Sequence, residues 1–260
     1  MIDSKAGGLD RSISIRARWD DCDRFGHLNN AAYVALAREA HDALAVPGAR
    51  LVEFEISHRA PVMHGGSVEV RISAWSGNHG LIATYLEFTD SGRSAATARA
   101  LWTDQSDLPP RPLSCPEPDA GGRWFDFEEP VRTYHLGPDG RLRPQVALQS
   151  FEHAVFRAAA VAGWPLRRMD EAGFVSLVVS HHLVLGWAVE QGEALHVASR
   201  LVEVRRVSGT WLHELRRGDG ALVAADLARG AFLDRAGRIR PAPMGLIDDL
   251  LLGEPQPSDG

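Results

Sequence analysis

The stretch Trp19-Asp20-Asp21-Cys22-Asp23-Arg24-Phe25-Gly26-His27-Leu28-Asn29-Asn30-Ala31-Ala32-Tyr33 decides how this chain reads. An acidic run leads to a glycine, then to a histidine and two asparagines, and these open an alanine-rich segment. Gly26 marks a turn. Asn29 or Asn30 suits a helix N-cap, because its side-chain oxygen accepts a backbone amide. From Asn30 to Leu44, Val34, Ala37, Leu44 and the alanines between them leave few polar positions. That pattern predicts a mostly buried helix. The start of a helix offers free amides and the positive end of its dipole. An acid, a turn and a helix start placed together can hold and attack a carbonyl.

The chain repeats its plan around a proline-rich segment, Gln105 to Pro130, with Pro109, Pro110, Pro112, Pro116 and Pro118. Proline fixes φ and withholds an amide, so this segment reads as a linker. Each half begins with a strand-like run, Ser12 to Trp19 and Val131 to Leu136. Each turns at Gly-x-Leu, Gly26-His27-Leu28 and Gly140-Arg141-Leu142. Each turn opens a helical segment, the second over Gln145 to Ala162. Strand-like runs follow: Leu51 to His58, Ser67 to Trp75, Leu81 to Thr89 and Ser94 to Asp104, then Phe174 to Leu185, Ala194 to Arg205, Thr210 to Arg216 and Ala221 to Asp234. Ser67 to Ile72 alternates polar and apolar, as a half-buried antiparallel strand does. Asp90-Ser91-Gly92 and Gly218-Asp219-Gly220 supply hairpin turns. The expected fold class is α+β, each repeat an antiparallel sheet around a helix. The expected bounds are an N-terminal domain over 9–106, a linker over 107–129, a C-terminal domain over 130–243 and a tail over 244–260.

Composition narrows the function. A formal net charge of -6 argues against a broad nucleic-acid surface. Two cysteines, Cys22 and Cys115, make no disulfide framework and fit a reducing, cytoplasmic setting. The first residues carry no secretory signal, and no run approaches the roughly 18 apolar residues of a membrane span. No Gly-x-Ser-x-Gly elbow, Walker motif or dinucleotide fingerprint is present. His181-His182 fall on one predicted strand and point to opposite faces, so they do not grip one metal together.

These residues resemble the hotdog-fold thioesterases. Asp21, Asp23, Gly26 and Tyr33 match the Asp-x-Asp, glycine and helix tyrosine of the 4-hydroxybenzoyl-CoA branch. His27-Leu28-Asn29-Asn30 is similar to the His-Val-Asn-Asn segment of acyl-ACP thioesterases, which join two hotdog units in one chain. Two positions depart from the acyl-ACP pattern. Phe25 stands where those enzymes have an asparagine, and the motif lies in the first half rather than the second. The resemblance implies a tandem hotdog, each sheet curved around its central helix. It also implies hydrolysis of an acyl thioester of coenzyme A or acyl carrier protein. No metal and no cofactor are expected, since coenzyme A or phosphopantetheine comes with the substrate. Expected partners are the small-molecule or carrier substrate and a second copy in a homodimer, with no nucleic acid and no membrane.

The resemblance places the catalytic carboxylate at Asp23, as nucleophile or as general base on water. A turn or cap aspartate is the competing reading. His27 either orients Asp23 and the thioester or is a satisfied turn histidine. Asn30 and Ala31 offer amides to an oxyanion. Phe25, Gly26, Asn29, Tyr33 and Arg59 are the substrate-binding candidates, and Tyr33 also reads as core. Arg16, Arg18 and Arg24 join Arg59 as phosphate contacts. Glu39 is the alternative helix carboxylate. In the second half, Gly137 and Arg141 stand where Asp23 and His27 would fall, so that half is expected to lack the carboxylate. A double-hotdog enoyl-thioester hydratase or dehydratase and a non-catalytic acyl-CoA-binding protein are the alternative functions.

Overall fold

Ser67, Glu69 and Arg71 face solvent while Val68, Val70 and Ile72 are buried, and this alternation builds the sheet of the first half. The structure, a computed structural model, describes residues 9–23, 25–44, 48–76, 80–105, 113, 115, 122–243 and 245–252. Two compact units emerge, Met1–Arg111 with His182–Gly186, and Pro112–His181 with Trp187–Gly260.

The first unit runs β1 (Leu9–Arg16), a 3-10 turn (Trp19–Asp21), α1 (Asn30–Leu44), β2 (Arg50–His58), β3 (Ser67–Ser76), β4 (Leu81–Asp90) and β5 (Arg93–Thr103). Its strands lie in the order β1-β3-β4-β5-β2, every neighbouring pair antiparallel. Ser91 and Gly92, at φ 51° and 78°, close the β4–β5 hairpin. Two left-handed residues give a turn whose twist matches the strands. α1 packs on β1 and β3 and buries Ala31, Val34, Leu36, Ala37 and Ala40. Phe54, Phe88 and Trp102 fill the core, each burial stabilising by about 1.5–3 kcal/mol. The Trp102 indole donates to Thr84 Oγ1 at 2.9 Å.

The second unit runs β6 (Phe125–Pro130), a 3-10 turn (Thr133–His135), α2 (Pro144–Val161), α3 (Leu166–Glu171), β7 (Phe174–Leu185, whose end from His182 is grouped with the first unit), β8 (Ala194–Arg205), β9 (Ser208–Arg217), β10 (Leu222–Asp234) and α4 (Leu246–Leu252). Its strand order is β7-β10-β9-β8-β6.

Three expectations need correction. The linker over 107–129 ends early, because Phe125 to Glu129 already pair with β8. Pro130 sits at the end of this edge strand, where a missing amide costs little. The strand expected over Val131 to Leu136 is instead the 3-10 turn. The tail over 244–260 contains α4, whose Leu246 and Leu250 are buried with Trp164, Phe174 and Phe232. Asp249 Oδ2 accepts the Trp164 indole N–H at 2.8 Å. Most of the proline-rich segment lies outside the described residues.

The two units repeat one backbone pattern around their turns. The Asp23 amide donates to His27 O at 2.7 Å, and the Gly137 amide to Arg141 O at 2.7 Å. The Asn29 amide donates to Asp21 O at 2.8 Å, and the Arg143 amide to His135 O at 2.9 Å. Beneath the helices the units diverge. Ser199, His213 and Asp226 are direct cross-strand neighbours, and Asp226 Oδ2 meets His181 Nδ1 at 2.7 Å. All four side chains are buried. The row in the same register of the first unit is Ile72, Leu86, Ala98 and Ile56, also buried. The architecture therefore does not require polar groups there. Ser199 Oγ and His213 Nδ1 are 2.8 Å apart. Burial pushes His213 down to about 4, with Asp226 opposing the shift and His181 adding to it.

Candidate active site

Between the 3-10 turn and α1 the chain folds back on itself, and the Asp23 side chain fastens the loop. Its Oδ1 accepts the Phe25 amide at 2.8 Å and the His27 amide at 3.0 Å. The Gly26 amide donates to Asp23 O at 3.0 Å. Gly26 has φ +77°, and a Cβ there would meet nothing within 4 Å. The positive φ requires a glycine in this turn, as expected from sequence.

Asp23 is thus a turn aspartate by one oxygen. Its other oxygen, Oδ2, lies 3.9 Å from His27 Nδ1, and the two side chains are 32% and 35% exposed. A carboxylate held by two amides keeps a fixed heading, and this one faces an imidazole at the surface.

The helix start lies next to it. Asn29 caps α1, its Oδ1 accepting the Ala31 amide at 2.8 Å. Of the two amides expected to receive an oxyanion, that of Ala31 is therefore engaged. The Asn30 amide, in the first turn, carries no partner among the described residues.

A second loop, between β2 and β3, closes the other side. The Leu28 amide donates to Val62 O at 2.8 Å and the His64 amide to Gly26 O at 2.8 Å. His27 and Met63 form an antiparallel bridge. Sequence reasoning missed Met63. It lies 36 positions beyond His27 in the chain, and only the fold's non-local pairing brings it there.

The other candidates scatter. Phe25 is exposed beside His27, ring centroids 6.1 Å apart. Tyr33 points into the core, edge-on to His58 and Phe88 at 4.9 and 5.2 Å. Burial, then the charge of Asp90, pushes its hydroxyl up to about 12. Arg59 is exposed on the loop after β2. Glu39 is exposed on α1, about 13 Å along the helix from Asn30, and its charge reaches Arg18. Arg18 is held by Asp21 at 3.0 Å, Arg16 is exposed, and Arg24 lies outside the described residues. Burial, then Asp21 and Asp23, pushes the Cys22 thiol up, which disfavours the nucleophilic thiolate. Among the described residues no group of three metal-ligating side chains forms, and no helix is long and apolar enough to cross a membrane.

A protein of Lactobacillus plantarum assigned as an oleoyl thioesterase superposes with a TM-score of 0.66 at 14% identity, covering 88% of this chain and 97% of its own. The hotdog fold is settled by that match together with the tandem units. This chain has a tandem hotdog fold. An acyl-ACP thioesterase of Bacteroides thetaiotaomicron gives 0.61 at 11% identity, covering 86% of this chain and 97% of its own. The 12:0-ACP thioesterase of Umbellularia californica gives 0.60 at 10% identity, covering 87% and 95%. At such identity the likeness is one of fold. A family model described as the acyl-ACP thioesterase C-terminal domain matches residues 7–104, the first hotdog unit, which carries the Asp23 motif. A search of curated proteins gives no match.

Proposed function

We propose that this tandem hotdog protein hydrolyses an acyl thioester of coenzyme A or acyl carrier protein, with Asp23 as its catalytic carboxylate. The observation that carries the reading is the division of labour in that side chain. Oδ1 fixes the turn, while Oδ2 lies 3.9 Å from His27 Nδ1 on a side chain one-third exposed, in the loop that leads into α1. The thioester likeness of the fold supports the substrate class.

The chemistry follows. The thioester carbonyl oxygen accepts the Asn30 amide at the positive end of α1. Asp23 Oδ2 either takes a proton from water, which attacks the carbonyl carbon, or attacks that carbon itself to give a mixed anhydride that water then opens. The carbon–sulfur bond breaks in either route, and the thiol leaves with one proton. His27 orients Oδ2 and the sulfur. The second unit, with Gly137 and Arg141 at the equivalent positions, acts as scaffold.

The test is thiol release by the purified chain over a panel of acyl-CoA and acyl-carrier substrates. Release above the spontaneous rate is expected, and its absence across the whole panel overturns the proposal. A single turnover in oxygen-18 water identifies the anhydride route when water opens it at the Asp23 carbonyl. Label appears in Asp23 only if it is the nucleophile.

A further inference from the structure

Ser199, His213, Asp226 and His181 cross the sheet of the second unit as one buried row, and the thioester chemistry uses none of them. Burying such groups is costly, and apolar side chains of similar volume usually give an equal or more stable core. The first unit has that alternative in place, with Ile72, Leu86, Ala98 and Ile56 in the same register.

Around the row the two units present closely similar buried faces. β5 buries Ala96, Ala98 and Ala100 opposite Phe88, Leu86 and Thr84 of β4. β10 buries Ala224, Asp226 and Ala228 opposite Leu215, His213 and Trp211 of β9. The alanines match on either side, and only the middle residue differs. β3 likewise buries Val70 and Ile72 where β8 buries Val197 and Ser199. A chain carrying two such units can exchange strands between them as it folds, which is a characteristic failure of repeated domains. The shape of the alanine face does little to tell β10 from β5.

The bonds of the row do tell them apart. Ser199 Oγ and His213 Nδ1, 2.8 Å apart, join β8 to β9. Asp226 Oδ2 and His181 Nδ1, 2.7 Å apart, join β10 to β7. With the β9–β10 hairpin in the place of β4–β5, His213 would lie beside Ile72 and Asp226 beside Ile56. Ser199 and His181 would be left facing Leu86 and Ala98. Both bonds would be lost at once, and a buried polar group deprived of its partner costs far more than the bond contributes.

We infer that the row Ser199, His213, Asp226 and His181 keeps the strands of the second unit from pairing within the first while the chain folds. The polar groups mark one repeat and the apolar row marks the other. This role is independent of the hydrolytic reading of Asp23.

The test erases the difference between the units in the full chain. The fourfold variant Ser199→Ile, His213→Leu, Asp226→Ala, His181→Ile gives the second unit the first unit's row and changes only buried positions. Its urea midpoint at neutral pH should equal or exceed that of the wild type, because apolar replacement of a whole buried polar cluster is neutral or stabilising. On refolding from urea, the wild type should regain nearly all of its native near-ultraviolet circular dichroism as a monomer. The variant should regain about half of its own, as two equivalent placements of one hairpin give. Exchange within one chain does not depend on protein concentration, so the shortfall should persist on dilution. A variant that refolds as fully as the wild type overturns the inference. So does a shortfall that disappears on dilution, which is aggregation, or one accompanied by a lower urea midpoint, which is simple loss of stability. If the fourfold variant yields no native protein, Ser199→Ile with His213→Leu erases half the row and keeps the Asp226–His181 bond. A concentration-independent shortfall in that pair variant supports the inference, and full recovery overturns it.

Discussion

Replacing Asp23 by asparagine separates the two jobs assigned to its oxygens. The asparagine carbonyl still accepts the Phe25 and His27 amides, so the turn survives. The charge and the second acceptor are gone, and an NH2 faces His27 instead. Hydrogen bonds to a charged acceptor contribute about 1.5–3 kcal/mol and neutral ones about 1 kcal/mol. The side chain is one-third exposed, and solvent screening reduces that difference to roughly 1 kcal/mol or less. The loss of a general base costs about 100- to 10,000-fold in rate, which is about 3–5 kcal/mol of barrier at 1.36 kcal/mol per decade. Activity should therefore collapse while stability barely moves. Asp23→Ala loses the turn bonds as well, and should add about 1–2 kcal/mol of destabilisation, as loss of a cap does. The assay is thiol release from the best acyl-CoA, with urea unfolding on the same preparations. An Asp23→Asn enzyme within about threefold of wild-type kcat/KM would refute the catalytic assignment. Equal destabilisation by the two substitutions would refute the division of labour.

Other outcomes follow from the same structure. Asn29→Ala removes the α1 cap and should cost about 1 kcal/mol in urea unfolding. Thr84→Val leaves the buried Trp102 indole without its acceptor and should cost about 1–3 kcal/mol in the same measurement, whereas an unchanged midpoint would mean the bond is not formed. His213 is held neutral in the folded chain down to about pH 4, against 6.5 unperturbed. The unfolded chain thus binds the extra proton first, and stability falls as pH drops from 6.5 toward 4, by about 3 kcal/mol at most. His181 has the opposite sign. Its pKa is raised by Asp226 against the effect of burial, so its contribution is full below 6.5 and is lost as pH rises through the folded value. Replacing the Ser199–His213 pair by Ile and Leu, the first unit's residues in that row, should abolish the acid-side loss. Urea midpoints between pH 4 and 7 check this.

The helix Asn30–Leu44, the two-residue hairpin at Ser91-Gly92 and the strands Ser67–Ser76 and Phe174–Leu185 were legible because their signals are local. Periodicity, turn residues and caps act within a few positions, so a linear reading finds them. The first strand of the second unit was not. Phe125–Pro130 contains three acids and ends in a proline, and becomes a strand only by pairing with β8. α4 was missed for the same kind of reason. Its seven residues are too few to hold a helix alone and depend on Trp164 and the apolar cluster beneath.

At the site, sequence alone brought Asp23, Gly26, His27, Asn29 and Asn30 together, since a tight turn leading into a capped helix is written within eight residues. Tertiary structure decided which atoms remain available. It turned Tyr33 inward against His58 and Phe88. It also brought Met63 to His27 from a loop that follows another strand. Side-chain heading and non-local pairing depend on how strands align across a sheet, and residues far apart in the chain fix that alignment together.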